Sequence, residues 1–259
     1  MMTFEERVFA GEAFDNVYIF DVHAHTDSYA PFQLGDPTAD GLAYSCKRLG
    51  VDGLCTSSLT ACRSDWEFGN RLTAAACAAY PGYIFGYAVP NPYDPDCDLS
   101  RYFETEQGFR GIKVHGDMQG SLPLNDERYF PAYELAAKLQ IPVLFHAWLP
   151  SEVNAAADVA RRWPNVPIIL GHAGMTAKPA AAEAARNHDN IYIDTAISST
   201  IEGSVEWLVN NIGADRVVFG SDCTFFDCAH NIGKIALAQV SDEVKEKIFG
   251  LNAKKIFRM

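Results

Sequence analysis

The sequence predicts an α/β chain folded as one (β/α)8 or TIM barrel, and three observations predict it. Its 259 residues suit the length of a single such barrel. Eight short apolar, β-branched segments begin 25 to 33 residues apart, the span of one βα unit. The polar residues in those segments fall at their C-terminal ends, where a barrel gathers its reactive groups.

The eight predicted strands are 18–25 (YIFDVHAH), 51–59 (VDGLCTSSL), 83–90 (YIFGYAVP), 111–116 (GIKVHG), 141–148 (IPVLFHAW), 166–172 (VPIILGH), 191–196 (IYIDTA) and 217–222 (VVFGSD). Several are continuous apolar runs, the pattern of parallel strands buried on both faces. Helices fill the gaps. Pro37 and Thr38 open one in which Leu42, Cys46 and Leu49 share a face, with Gly50 as its stop. An alanine-rich helix covers 64–80 and ends at Pro81. Ser151 caps a helix running to about Trp163, and 200–212 sets Val205, Leu208, Val209 and Ile212 on one side before Gly213. Strand and helix alternate without a linker, so 1–259 reads as one domain. A doubly wound open sheet is the alternative, but no Gly-rich dinucleotide fingerprint follows the first strand.

Composition narrows the partners. Hydrophobic residues make up 48% and the formal net charge is -12, with a pI near 4.9. Such a chain repels polyphosphates, so nucleic acid and anionic membrane are not expected partners. A small-molecule substrate held at a local cation is compatible with this charge, because a metal reverses the field in one pocket. Residues 1–17 are acidic and carry neither the basic nor the apolar region of a signal peptide. No apolar run approaches the ~20 residues that span a bilayer. Seven scattered cysteines without a CxxC pair suggest reduced thiols and a cytoplasmic location. A homo-oligomer is compatible with the sequence, though no surface can be assigned to it.

Five of the seven histidines lie at strand ends. His23 and His25 finish the first strand, His115 the fourth, His146 the fifth and His172 the sixth; Lys113 sits on the fourth, and Asp222 ends the eighth. Residues i and i+2 of a strand face the same way, so His23 and His25 can converge on one ion. His146 and Asp222 then add donors from across the barrel. Nitrogen and carboxylate ligands favour Zn²⁺ as the single divalent metal, with Mn²⁺ or Fe²⁺ as alternatives. Asp222 can also take a proton from metal-bound water, whose pKa falls to about 7. His172 either ligates, polarises the electrophile or holds the attacking water. Asp21 is read as pointing inward with His23 and His25, to orient a ligand or to pair with Lys113. Lys113 is read as a plain cation toward Asp21, Asp194 or a substrate carboxylate; as a carbamate it would bridge a second metal. His115 is a substrate contact. Arg63, Trp148, Cys223 and Phe225 are read as packing or loop residues, and His188 and His230 as solvated.

These segments together resemble the amidohydrolase superfamily, in particular its amidohydrolase-related branch of TIM-barrel metal-dependent hydrolases. The resemblance runs through DVHAH at 21–25, YPGYIFGYAVPNP at 80–92, GFRGIKVHG at 108–116, IPVLFHAW at 141–148, IILGHAG at 168–174, NIYIDTA at 190–196, RVVFGSD at 216–222 and NAKKIF at 252–257. It implies His23, His25, His146 and Asp222 as metal ligands and His172 as the catalytic histidine. Gly116 departs from it, standing where many such relatives have proline. The branch holds both hydrolases and decarboxylases. Short loops favour hydrolysis of a lactone, amide or ester-like bond by a metal-activated water. The alternative is non-oxidative decarboxylation of a small aromatic or unsaturated acid. A non-catalytic barrel would show a damaged constellation, and this one is whole.

Overall fold

The computed structural model describes residues 2–29, 33–104, 108–197 and 201–259. Its centre is a parallel sheet of eight strands in sequential order. They are β1 (Phe20–Thr26), β2 (Gly53–Ser58), β3 (Ile84–Ala88), β4 (Phe109–Val114), β5 (Val143–His146), β6 (Ile168–Gly171), β7 (Ile191–Asp194) and β8 (Val217–Val218). The chain beyond β8 closes the ring onto β1. The Val22 N–H donates to the Phe219 carbonyl at 3.0 Å and the Asp222 N–H to the His23 carbonyl at 2.7 Å. Ala24 and Cys223 form a parallel bridge. The predicted barrel is therefore the fold.

One irregularity in β1 matters for the site. Phe20 and Asp21 pair with Gly53 and Leu54, but the register shifts before Ala24 pairs with Thr56. A bulge of this kind reverses the alternation of side chains. Phe20 and Val22 pack in the barrel interior with Cys55, Tyr87, Leu144, Ile169 and Val218. Asp21, between them, faces the outer helices instead. The expectation that Asp21 points inward with His23 and His25 is corrected by this bulge.

The helices follow local chemistry. Thr38 caps the helix Ala39–Lys47 by accepting from the Gly41 N–H, and Gly50 stops the segment at φ 89°. The expected helix at 64–80 is two helices. Ser58 caps Leu59–Arg63, the chain breaks at Ser64, and the Asp65 carboxylate restarts it by accepting from the Phe68 N–H at 2.8 Å. The helix Pro150–Arg162 is not capped by Ser151. Its Glu152 carboxylate accepts from the N–H groups of Trp148 and Leu149, and Ser151 lies in its first turn. The helix placed at 200–212 is Ser204–Ile212; Thr200 lies outside the described residues. At the N-terminal mouth, the helix Asn252–Phe257 seals the barrel, with the Phe257 ring 5.3 Å from Phe20 and 6.1 Å from Tyr87. Among the described residues no helix is long and apolar enough to cross a membrane.

Candidate metal centre

The C-terminal mouth collects the polar residues. His23, His25, Lys113, His115, His172, Asp194 and Asp222 are all buried there. Three of the imidazoles are fixed through Nδ1. His23 Nδ1 donates to Asp194 Oδ2 at 2.6 Å, His25 Nδ1 to the Ser57 carbonyl at 3.2 Å, and His172 Nδ1 to the Ala196 carbonyl at 2.7 Å. The Asp194 and Ala196 partners of His23 and His172 are acceptors, so the proton there is assigned to Nδ1 and Nε2 keeps its lone pair. His25 Nδ1 meets both the carbonyl and, at 3.1 Å, the hydroxyl of Ser57, and the carbonyl favours the same assignment.

The three Nε2 atoms meet around one carboxylate. Asp222 Oδ1 lies 3.5 Å from His23 Nε2 and 3.3 Å from His25 Nε2; Asp222 Oδ2 lies 4.0 Å from His172 Nε2. Asp222 Oδ1 is buried without a hydrogen-bond partner. Donor atoms of His23, His172 and Asp222 all fall within 4.8 Å of one another. The lone pairs of His25 and His172 face this carboxylate, which is costly in a buried site, and a cation relieves the conflict; the His23 lone pair is held meanwhile by the Lys113 ammonium. The residues therefore fit a divalent metal.

The surrounding structure holds this constellation. Gly171 leaves room for the His23 ring, since a Cβ there would lie 2.9 Å from its Cε1. His172 and Asp222 both have left-handed backbones, at φ 66° and 56°. Such conformations cost about 1–3 kcal/mol each and gather at functional sites. Asp194 Oδ1 accepts the His172 N–H at 2.7 Å, so one carboxyl positions both His23 and His172. Sequence reasoning missed that role for Asp194; its signal was a lone acid ending an apolar strand. Ser57 and the Ala196 carbonyl, the other holders, left no signal.

Electrostatics keep the donors ready. Burial, then Lys113 and the neighbouring histidines, holds His23 well below the usual imidazole range. His172 is also lowered, by burial first. Burial would raise Asp222, but His172, His25 and Lys113 outweigh it and keep the carboxyl below its ordinary value. Burial pushes Asp194 up to about 7.

Two predicted site residues sit differently from the expectation. Lys113 is fully buried and does not line the cavity at this mouth; its ammonium donates to His23 Nε2 at 3.0 Å. It does not pair with Asp21, whose carboxylate accepts from the N–H groups of His23 and Ser221 and from the Ser221 hydroxyl. Since Nε2 has one lone pair, the Lys113 contact and a metal bond exclude each other. His146 stands outside the tight donor group. It stacks on His115, with centroids 3.8 Å apart and planes at 9°, and lies 4.9 Å from His172.

Above the donors opens a cavity of about 620 Å³. His25, His115, His146, His172 and Asp222 form its floor and one wall; Tyr29, Arg63, Trp148, Phe225 and Phe226 line it too, with Leu59, Asp117 and Met118. Arg63, Trp148 and Phe225, read above as packing, are thus cavity residues, whereas Cys223 is not. Gly116 is explained by the loop behind His115: a Cβ there would run into the Leu122 carbonyl, whose own N–H donates to Gly116 at 3.2 Å.

Comparison with known proteins agrees with this geometry. A family model described as amidohydrolase matches residues 21–259. A γ-resorcylate decarboxylase of Rhodococcus jostii is 24% identical over 248 residues, covering 73% of this chain and 75% of that protein. The crystal structure of a 2,6-dihydroxybenzoate decarboxylase with 2,6-dihydroxybenzoate matches at TM-score 0.73 and 20% identity, over 95% of this chain and 99% of that one. A dihydroxybenzoic acid decarboxylase of Polaromonas, with bound manganese and the inhibitor 2-nitroresorcinol, matches at TM-score 0.74 and 18% identity, over 93% and 97%. These relatives correct the hydrolase expectation, because they are decarboxylases. Short loops were a poor discriminator: the barrel that matches here nearly end to end carries decarboxylation in those proteins.

Proposed function

Because the chain belongs to the amidohydrolase family, whose model spans residues 21–259, we propose that it is a metal-dependent, non-oxidative decarboxylase of a small aromatic carboxylic acid. The observation that carries this reading is the cavity, which combines flat rings, a guanidinium and an acid–base pair on one floor. Trp148 lies nearly parallel to His146 at 6.3 Å, extending the His115–His146 stack. Phe225 lies 5.5 Å from His25 and 5.2 Å from Tyr29 on the other side. A planar substrate ring gains ~0.5–1.5 kcal/mol from each well-placed aromatic face. Arg63 is the one lysine or arginine among the described lining residues, with its guanidinium 4.7 Å from the Tyr29 ring centre. It supplies a fork for a carboxylate. The names of the matched relatives support the same reaction class.

His23, His25, His146 and Asp222 would hold a single divalent cation, with His172 beside them and the Lys113 ammonium displaced from His23 Nε2. A bound divalent cation supplies Lewis-acid stabilisation of negative charge on substrate oxygens. The donor set suits zinc and manganese alike, and manganese in a matched decarboxylase supports trying it first. In the reaction the ring–carboxyl bond breaks, its electron pair stays on the ring carbon, that carbon takes a proton, and carbon dioxide leaves. Asp222 is the ionised group at the floor and neutral His172 its neighbour, so this pair receives a proton from solvent and passes it to the ring. Stacking and Arg63 orient the acid so that its ring carbon faces that pair.

Metal-loaded protein with a panel of hydroxybenzoic acids tests the reading. Carbon dioxide release that falls at least ~100-fold in Asp222→Asn supports it. Turnover of lactones or amides, with no carbon dioxide from any acid, overturns it.

A further inference from the structure

On the other side of β1 from the catalytic donors lies a second cluster of metal-ligating groups. The bulge turns Asp21 outward, toward the helices Ala39–Lys47 and Cys228–Ala236. There the Asp21 carboxylate and the thiols of Cys46 and Cys228 bring their donor atoms within 4.8 Å of one another, all buried. Cys223 lies beside them, lining the same cleft as Cys228. We propose that Asp21, Cys46 and Cys228, with Cys223 alongside, form a sulfur-rich site for a soft divalent cation, separate from the catalytic centre.

Three features of the cluster suit that ligand. A tetrahedral ion with metal–sulfur bonds of about 2.3 Å needs donors about 3.8 Å apart, so small side-chain rotations bring these atoms into range. Asp21 accepts three hydrogen bonds, from the Ser221 hydroxyl, the Ser221 N–H and the His23 N–H. A carboxylate offers about four lone-pair sites, which leaves one for an ion. Finally, a cleft of about 460 Å³ is lined by Asp36, Arg48, Cys223, Asp227 and Cys228, and it gives the cluster a path from solvent. On binding, Cys46 and Cys228 release their protons to solvent as sulfur–metal bonds form, and two thiolates with one carboxylate balance the ion to within one charge. Because Asp21 also holds the backbone N–H of His23 and of Ser221, an ion there would brace the β1–β8 seam directly behind the catalytic donors.

The catalytic centre has no sulfur ligand, and ultraviolet thiolate-to-metal absorption that is lost with Cys46 or Cys228 reports this cluster rather than the four other thiols, Cys55, Cys62, Cys77 and Cys97. Cadmium(II) is titrated into chelator-treated protein, with circular dichroism to verify the fold of each variant. The expected result is saturable absorption in the wild type and in the His23→Ala, His25→Ala double variant, and its loss in Cys46→Ser and in Cys228→Ser. Should Cys46→Ser fail to fold, Cys228→Ser decides. No absorption in the wild type under excess cadmium overturns the proposal, and so does absorption that survives in folded Cys228→Ser.

Discussion

At the N-terminal mouth of the barrel, Phe257 lies against Phe20 and Tyr87, and the interior beneath is filled by Val22, Leu144, Ile169 and Val218. At the C-terminal mouth, a few residues further along the same strands, the interior holds four histidines, a lysine and two carboxyls. The first region is apolar and close-packed. The second contains a carboxylate oxygen without a partner and two non-glycine residues in left-handed conformations. One end of each strand thus supplies cohesion, and the other holds charges and strain that the packed end must support. Mutations at the two ends should therefore separate stability from chemistry.

The largest expected effect is chemical. Asp222→Asn keeps the shape and removes the ionised floor, lowering carbon dioxide release by ~10²–10⁴-fold, read in steady-state assays, with a melting temperature at or above that of the wild type. The counterpart at the apolar mouth is Phe257→Ala. It destabilises by about 3–5 kcal/mol in denaturant titrations, while the metal content per folded chain stays unchanged. If both variants lost stability and metal together, the two mouths would not be separable and the comparison would fail.

Smaller effects sharpen the roles within the polar mouth. Asp194→Asn leaves the ligands in place but frees His23 and His172, weakening metal affinity by about 10–100-fold in competition with a chelator. The same assay separates His146→Ala from His172→Ala: His146→Ala should cost more affinity if His146 leaves its stack to ligate, and less if His172 holds that position. The smallest effect concerns pH. Burial lowers His23 and His172, so the folded state resists protonation and both stay neutral where a free imidazole begins to charge, near about 6.5. A depressed imidazole pKa preserves the ligand above the folded value and loses it only as pH falls through that value. Metal affinity should stay flat from about pH 8 to 6.5 and decline only below. An isotherm that already weakens toward the lower end of that range, between about pH 7 and 6.5, would show His23 and His172 to be ordinary imidazoles.

The barrel was legible because buried parallel strands leave continuous apolar runs, and because helix caps such as Thr38 are local. His23 and His25 were legible because their two-residue spacing survives the register shift between Asp21 and Ala24. The direction of Asp21 was not, since nothing in DVHAH marks where register slips. Asp194 as the holder of His23, and Arg63 as a cavity residue, depend on contacts across the barrel and on the break at Ser64. The reaction was illegible for a chemical reason. The same imidazoles and carboxylate serve hydrolysis or decarboxylation, and it is the relatives that favour the second.

One measurement tests that separation most directly. The metal-loaded protein is given a hydroxybenzoic acid in heavy water enriched in ¹⁸O, and the product is read by NMR and mass spectrometry. Decarboxylation predicts a ring carbon carrying deuterium where the carboxyl group stood, carbon dioxide in equal amount, and neither in Asp222→Asn. If no acid of the panel reacts, while an ester or lactone is turned over with solvent ¹⁸O entering a retained carboxylate, the bond broken is not the ring–carboxyl bond and the account is wrong.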